Sequence, residues 1–104
     1  MSGTLYIVHP GAEEISVETY PESGCPKLAK LQKEVGGYVE RIRLRFEGRL
    51  RDAYVDEDGI MKGLRLNTRA TNMTMHTGNS FHVIYGPMVI WVPTKRKKKS
   101  GQFD

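Results

Sequence analysis

Nine residues from Tyr38 to Phe46 constrain this chain more than any other stretch. They read Tyr-Val-Glu-Arg-Ile-Arg-Leu-Arg-Phe, with Tyr38, Ile42, Leu44 and Phe46 on alternate positions and only Glu40 interrupting. Side chains on a strand point to opposite faces in turn, so this alternation predicts a half-buried β-strand. Ile42, Leu44 and Phe46 are expected to face a core, and Arg41, Arg43 and Arg45 to line the wet face. Gly48 supplies a turn, and Leu50 to Val55 reads as the partner strand, with Arg51 near the same edge. Asp58-Gly59 is a hairpin signal, so Ile60 to Leu64 is expected to return as the third strand of an antiparallel meander.

The flanking segments complete an α+β pattern. Thr4 to Val8 is apolar on both faces, as a central strand would be. Ile15 to Tyr20 alternates, stops at Pro21, and is expected to pair with it as a hairpin. Pro26 to Val35 predicts the principal helix, with Leu28, Leu31 and Val35 on one side and Gly36 as its stop. Its lysines read as a solvated face. Thr68 to Met73 predicts a second short helix, capped by Asn67 or Thr68. Phe81 to Tyr85 and Met88 to Val92 predict two apolar strands, or one strand bent at Gly86-Pro87, that close the core. The expected architecture is a mainly antiparallel sheet with one principal helix on a face.

At 104 residues the chain is long enough for one core. Residues 1–93 are expected to form a single domain, and residues 94–104 a basic, disordered tail. No apolar run is long enough to span a membrane, and no charged-then-apolar leader opens the sequence. The lone Cys25 has no partner for an internal disulfide. These features predict an intracellular protein, nuclear or cytoplasmic.

The net charge of +4 is unevenly placed. Lys95, Arg96, Lys97, Lys98 and Lys99 hold five of the sixteen basic residues, whereas residues 1–94 hold eleven bases and eleven acids. The high isoelectric point therefore belongs to the tail. A short basic cluster after Pro93 resembles a nuclear import signal or a nucleic-acid contact, and such runs also serve as solubilising tails.

Few residues carry chemistry. His9, His76 and His82 lack metal-ligand spacing. Asp56-Glu57-Asp58-Gly59 departs from a calcium loop because Ile60-Met61 breaks the ligand pattern, and it reads as a solvated turn. Gly36-Gly37 follows a helix, the wrong order for a dinucleotide site. No metal, cofactor or catalytic group is expected. An enzyme would need a deep pocket lined by Asp52, His76 or Arg69. The row Arg41, Arg43, Arg45 is the candidate binding surface, since guanidiniums grip phosphates in a planar fork. The plainer reading pairs that row with acids such as Glu18 or Asp52.

The ordered segments Gly36-Gly-Tyr-Val-Glu40, Tyr54-Val-Asp-Glu-Asp-Gly59, Leu66-Asn-Thr-Arg-Ala-Thr71 and Tyr85-Gly-Pro-Met-Val-Ile90 resemble a family of domains of unknown function. The resemblance runs from Leu5 to Val92. It implies a small protein of a phage, mobile element, bacterium or large DNA virus, and no activity. It marks Asn67, Arg69 and Ala70 as a signature segment. Structurally, Asn67 would cap a helix, Ala70 would pack tightly, and Arg69 would pair with an acid such as Asp56. Functionally, Asn67 and Arg69 would touch a ligand or partner. The expected role is a non-enzymatic accessory protein that binds a protein or nucleic-acid partner, with a minor virion or assembly component as the alternative and a small enzyme of unrecognised type as the second.

Overall fold

The strand predicted to be central lies inside the sheet. A computed structural model of the chain describes residues 3–21, 26–75 and 82–94. Gly3–Val8 (β1) pairs on one side with Ser16–Tyr20 (β2) and on the other with Met88–Pro93 (β5), both antiparallel. Val39–Phe46 (β3) and Arg49–Asp56 (β4) form a hairpin, and β4 pairs with β5. The antiparallel order is β2-β1-β5-β4-β3. The fold is α+β.

Both predicted helices are present and cover opposite faces of the sheet, where the sequence placed only the principal one on a face. Leu28–Val35 (α1) buries Leu31 and Val35 against Leu5, Ile7, Tyr20, Val89 and Trp91. Leu28, in its first turn, remains 58% exposed and contributes little to that face. Gly36 ends α1 with φ +94°, a left-handed conformation that glycine adopts freely, and its N–H donates to the Gln32 carbonyl at 2.7 Å. At the other end the Lys27 N–H donates to the Tyr20 hydroxyl at 2.9 Å. Tyr20 meets Trp91 edge to face, with centroids 5.6 Å apart. Thr68–Thr74 (α2) lies on the other face, where Ala70 joins Val8, Ile42, Leu44, Ala53, Val55, Met88 and Ile90. Alternation along β5 explains the two layers: Val89 and Trp91 face α1, while Met88 and Ile90 face α2.

Among the described residues two predicted strands do not form. Residues 57–63 wind through turns, and Ile60 and Met61 are 71% and 87% exposed. The Asp56 carboxylate accepts the Asp58 N–H at 2.8 Å, a side-chain turn that replaces the tight hairpin turn. The Lys62 and Leu64 N–H groups then donate to the Asp58 and Gly59 carbonyls. β4 takes β5 as its second neighbour, because four consecutive buried residues, Met88 to Trp91, bring far more apolar surface than Ile60-Met61. Residues 82–84 form no strand either, and Tyr85 makes a single bridge to Leu66. Their backbone groups are taken by α2 and its cap. The His82 N–H donates to Thr74 Oγ1, the Ile84 N–H to Thr71 Oγ1, and the Ile84 carbonyl accepts from the Asn67 N–H. His82 is accordingly half-buried, and Val83 is the exposed neighbour. Among the described residues no helix is long and apolar enough to cross a membrane.

Candidate functional site

Arg41, Arg43 and Arg45 do share one face of β3, while Ile42 and Leu44 are buried on the other. They lie opposite Tyr54, Asp52 and Leu50 of β4, on the side of the sheet that carries α1. β3 is an edge strand. Charged side chains along such an edge also discourage pairing with other chains, so three arginines there have a structural reason as well. Of the suggested acid partners, Asp52 is used: its Oδ1 lies 3.3 Å from Arg43 Nε, with the Arg43 side chain 60% exposed. An ion pair that open contributes about 0–1 kcal/mol. Glu18 is on β2, the opposite edge, and belongs to Lys30.

The hairpin is longer than its place in the sheet. β5 pairs only with Asp52 to Val55, so Leu44–Phe46 and Arg49–Arg51 continue past β5 as a two-stranded ribbon. Arg49 and Arg51 lie on the ribbon face opposite Arg41, Arg43 and Arg45. Residues 41–52 thus hold five arginines against two acids, Glu47 and Asp52. Arg49 was not singled out from sequence. The signal for it was the alternation continuing across Gly48. The ribbon is anchored by Phe46, whose ring stands 5.0 Å from that of Tyr6.

One lysine of α1 departs from the solvated-face reading. Lys30 Nζ lies 2.6 Å from Glu18 Oε2 and 2.7 Å from Glu34 Oε2, tying α1 to β2. Lys30 Nζ donates to Glu18 Oε1 at 2.9 Å, while the buried Glu18 Oε2 makes no hydrogen bond of regular geometry and contributes by charge alone. Hydrogen bonds to Glu18 and Glu34 hold the Lys30 ammonium charged above its ordinary range.

Asn67 occupies the interior. It is fully buried; its Nδ2 donates to the Val8 and Gly86 carbonyls at 2.8 Å each, and its Oδ1 accepts the Ala70 N–H at 3.0 Å. One side chain therefore caps α2 and joins it to the end of β1 and to the loop before β5. Ala70 is also fully buried, as tight packing required. Arg69 does not pair with Asp56. The Asp56 side chain is only 1% exposed and is held by Lys62 Nζ at 2.8 Å, and Lys62 also donates to the Gly36 carbonyl. The acidic turn is thus anchored at its first residue rather than freely solvated.

Arg69 instead lines an open groove of about 800 Å³ with Arg65, Leu66, Thr68, Met73 and the turn residues Gly11 and Ala12. A second hollow of about 530 Å³ is lined by Ile42, Val55, Ile60, Met61, His82 and Tyr85, together with Glu40 and Glu57. Asp52 lies on the face carrying α1, and Arg69 is on α2 across the sheet, so the fold does not bring these two together. Among the described residues no three His, Cys, Asp or Glu side chains are grouped to hold a metal ion. Cys25, His76 and the basic run Lys95, Arg96, Lys97, Lys98 and Lys99 lie outside the described residues.

Neither the curated proteins nor the solved structures provide a match to this chain. One family model does match, over residues 2–102 and so over both helices and all five strands. The chain belongs to the family described as Domain of unknown function (DUF3846).

Proposed function

We propose that the protein is a non-enzymatic accessory factor of a virus or mobile element that binds nucleic acid through the β3–β4 ribbon. The observation that carries this reading is the concentration of Arg41, Arg43, Arg45, Arg49 and Arg51 on a two-stranded element that extends beyond the sheet. A ribbon of two strands is one of the few protein elements that fit the major groove of a duplex. Arg41, Arg43 and Arg45 on its open face, with Arg49 exposed beside the turn, suit the phosphates alongside. The Lys95 to Lys99 run adds sequence-independent affinity, or an address for nuclear import.

Duplex DNA binding measured against salt tests this for the full chain, a chain ending at Pro93, and Arg45→Gln/Arg49→Gln. The truncated chain is expected to bind, with log affinity falling linearly in log salt. Each phosphate-contacting arginine removed is expected to lower that slope by about one. Loss of all binding on truncation, with the ribbon variant behaving like the parent, would leave the tail as the only nucleic-acid contact.

The second reading is a protein partner or assembly role at the second hollow. The exposed Ile60, Met61 and Val83 favour it, since contiguous apolar surface marks partner sites. A packed interface of that kind would resist added salt.

A further inference from the structure

The groove between the turn after β1 and α2 combines features that neither the ribbon nor the second hollow has. Arg65 and Arg69 stand two residues either side of Asn67, whose polar atoms are all engaged inside the fold. The backbone that carries the two arginines is fixed at that point, and both side chains are exposed. Among the described residues neither guanidinium has a carboxylate within ion-pair distance. The Arg65 guanidinium lies against the turn at Gly11, where φ is +75° and an added Cβ would meet Nη1 and Cζ. The bare backbone of that glycine leaves room for the planar group to lie flat against the turn, with its donors open to the groove. The groove offers a hydroxyl at Thr68 and an apolar flank from Leu66 and Met73.

Two planar forks suit a dianion with several oxygens, whereas a carboxylate is matched by one. The apolar flank suits an organic body attached to that anion. A volume of about 800 Å³ lies within the roughly 300–1,000 Å³ usual for small-molecule sites. We infer that the Arg65–Arg69 groove binds a phosphate monoester carrying a planar or apolar body, supplied either by a free nucleotide or by the 5′ end of a nucleic-acid strand. The site is separate from the ribbon tip. It lies at the end of the sheet where Val8 meets Met88 and Met88 meets Val55, and the tip is at the opposite end.

Calorimetric titration of the full chain with adenosine monophosphate, adenosine, and an oligonucleotide with or without a 5′ phosphate tests the inference. The proteins compared are the parent, Arg65→Gln, Arg69→Gln, Arg69→Lys and the ribbon variant Arg45→Gln/Arg49→Gln. Adenosine monophosphate is expected to bind saturably and adenosine not to. Each Gln variant is expected to bind at least about tenfold more weakly, as loss of a charge-assisted hydrogen bond implies. Arg69→Lys should recover part of the loss, since it restores charge without the fork. The ribbon variant should bind the mononucleotide as the parent does, which keeps failure of this site distinguishable from failure of the ribbon. A preference for the 5′-phosphorylated oligonucleotide that Arg69→Gln removes would assign the strand end, and its absence the free nucleotide. Because Arg65 and Arg69 are exposed, the variants should melt as the parent does. No saturable binding of the mononucleotide at millimolar concentration, equal binding of adenosine, or parental affinity in both Gln variants would overturn the proposal.

Discussion

Asn67 shows how much one side chain can hold. An asparagine amide has two donors and a carbonyl oxygen, and here both donors and that oxygen are engaged in a site without solvent. Replacing it with alanine removes the cap of α2 and the donors to the Val8 and Gly86 carbonyls. Buried polar groups without partners are costly, so Asn67→Ala is expected to destabilise the fold by about 2–4 kcal/mol. A lower urea midpoint with an unchanged m-value is the measurement that checks it. The sequence made the capping role legible, since asparagine before a helical segment is a standard cap. The bonds to residues 59 positions before it and 19 after it were not legible, because nothing local encodes them.

At the scale of elements, α1 is held to the sheet by its apolar face and by the charge triad of Lys30, Glu18 and Glu34. The folded-state pKa of Lys30 is raised, so its pairing contributes fully below the unfolded value, about 10.4, and is lost as pH rises through the folded value. The parent should therefore be more thermally stable than Lys30→Met at neutral pH. That difference should shrink as pH climbs above about 10.4. Melting curves of the two proteins at neutral and strongly alkaline pH give the comparison, and a constant difference would contradict it. Helical periodicity identified α1 and its end at Val35, though the helix starts at Leu28 rather than Pro26, and the spacing gave no way to know that Lys30 meets a glutamate from β2. For the β3–β4 hairpin, alternation predicted the faces correctly. Its extension beyond β5 depends on where a strand more than thirty residues later begins and ends its pairing.

Over the whole molecule, β5 unites two apolar layers. Leu5 belongs to the layer under α1 and Ile90 to the layer under α2, and both are fully buried. Leu5→Ala and Ile90→Ala should each cost about 2–5 kcal/mol. Because the layers share one central strand, both variants should still unfold in a single transition. Trp91, the sole tryptophan, sits in the α1 layer and reports that side by fluorescence, while far-ultraviolet circular dichroism reports the sheet and both helices. Coincident curves from the two probes support one cooperative unit, and separated curves would mean that the layers melt independently.

What the sequence determined by itself was set by neighbours a few residues apart. The alternation of β3, the caps at Gly36 and Asn67, and the apolar character of β1 and β5 all rest on local geometry. The tertiary structure alone decided the strand order, the placing of the two helices on opposite faces, and the fate of Ile60 to Leu64 and of residues 82–84. It also decided which charges meet: Asp56 with Lys62 rather than Arg69, Glu18 with Lys30 rather than the β3 arginines. These outcomes turn on competition between distant segments for the same apolar surface and the same backbone groups. Met88 to Trp91 buries more than Ile60-Met61 can, and the side chains of α2 claim backbone that would otherwise form a ladder.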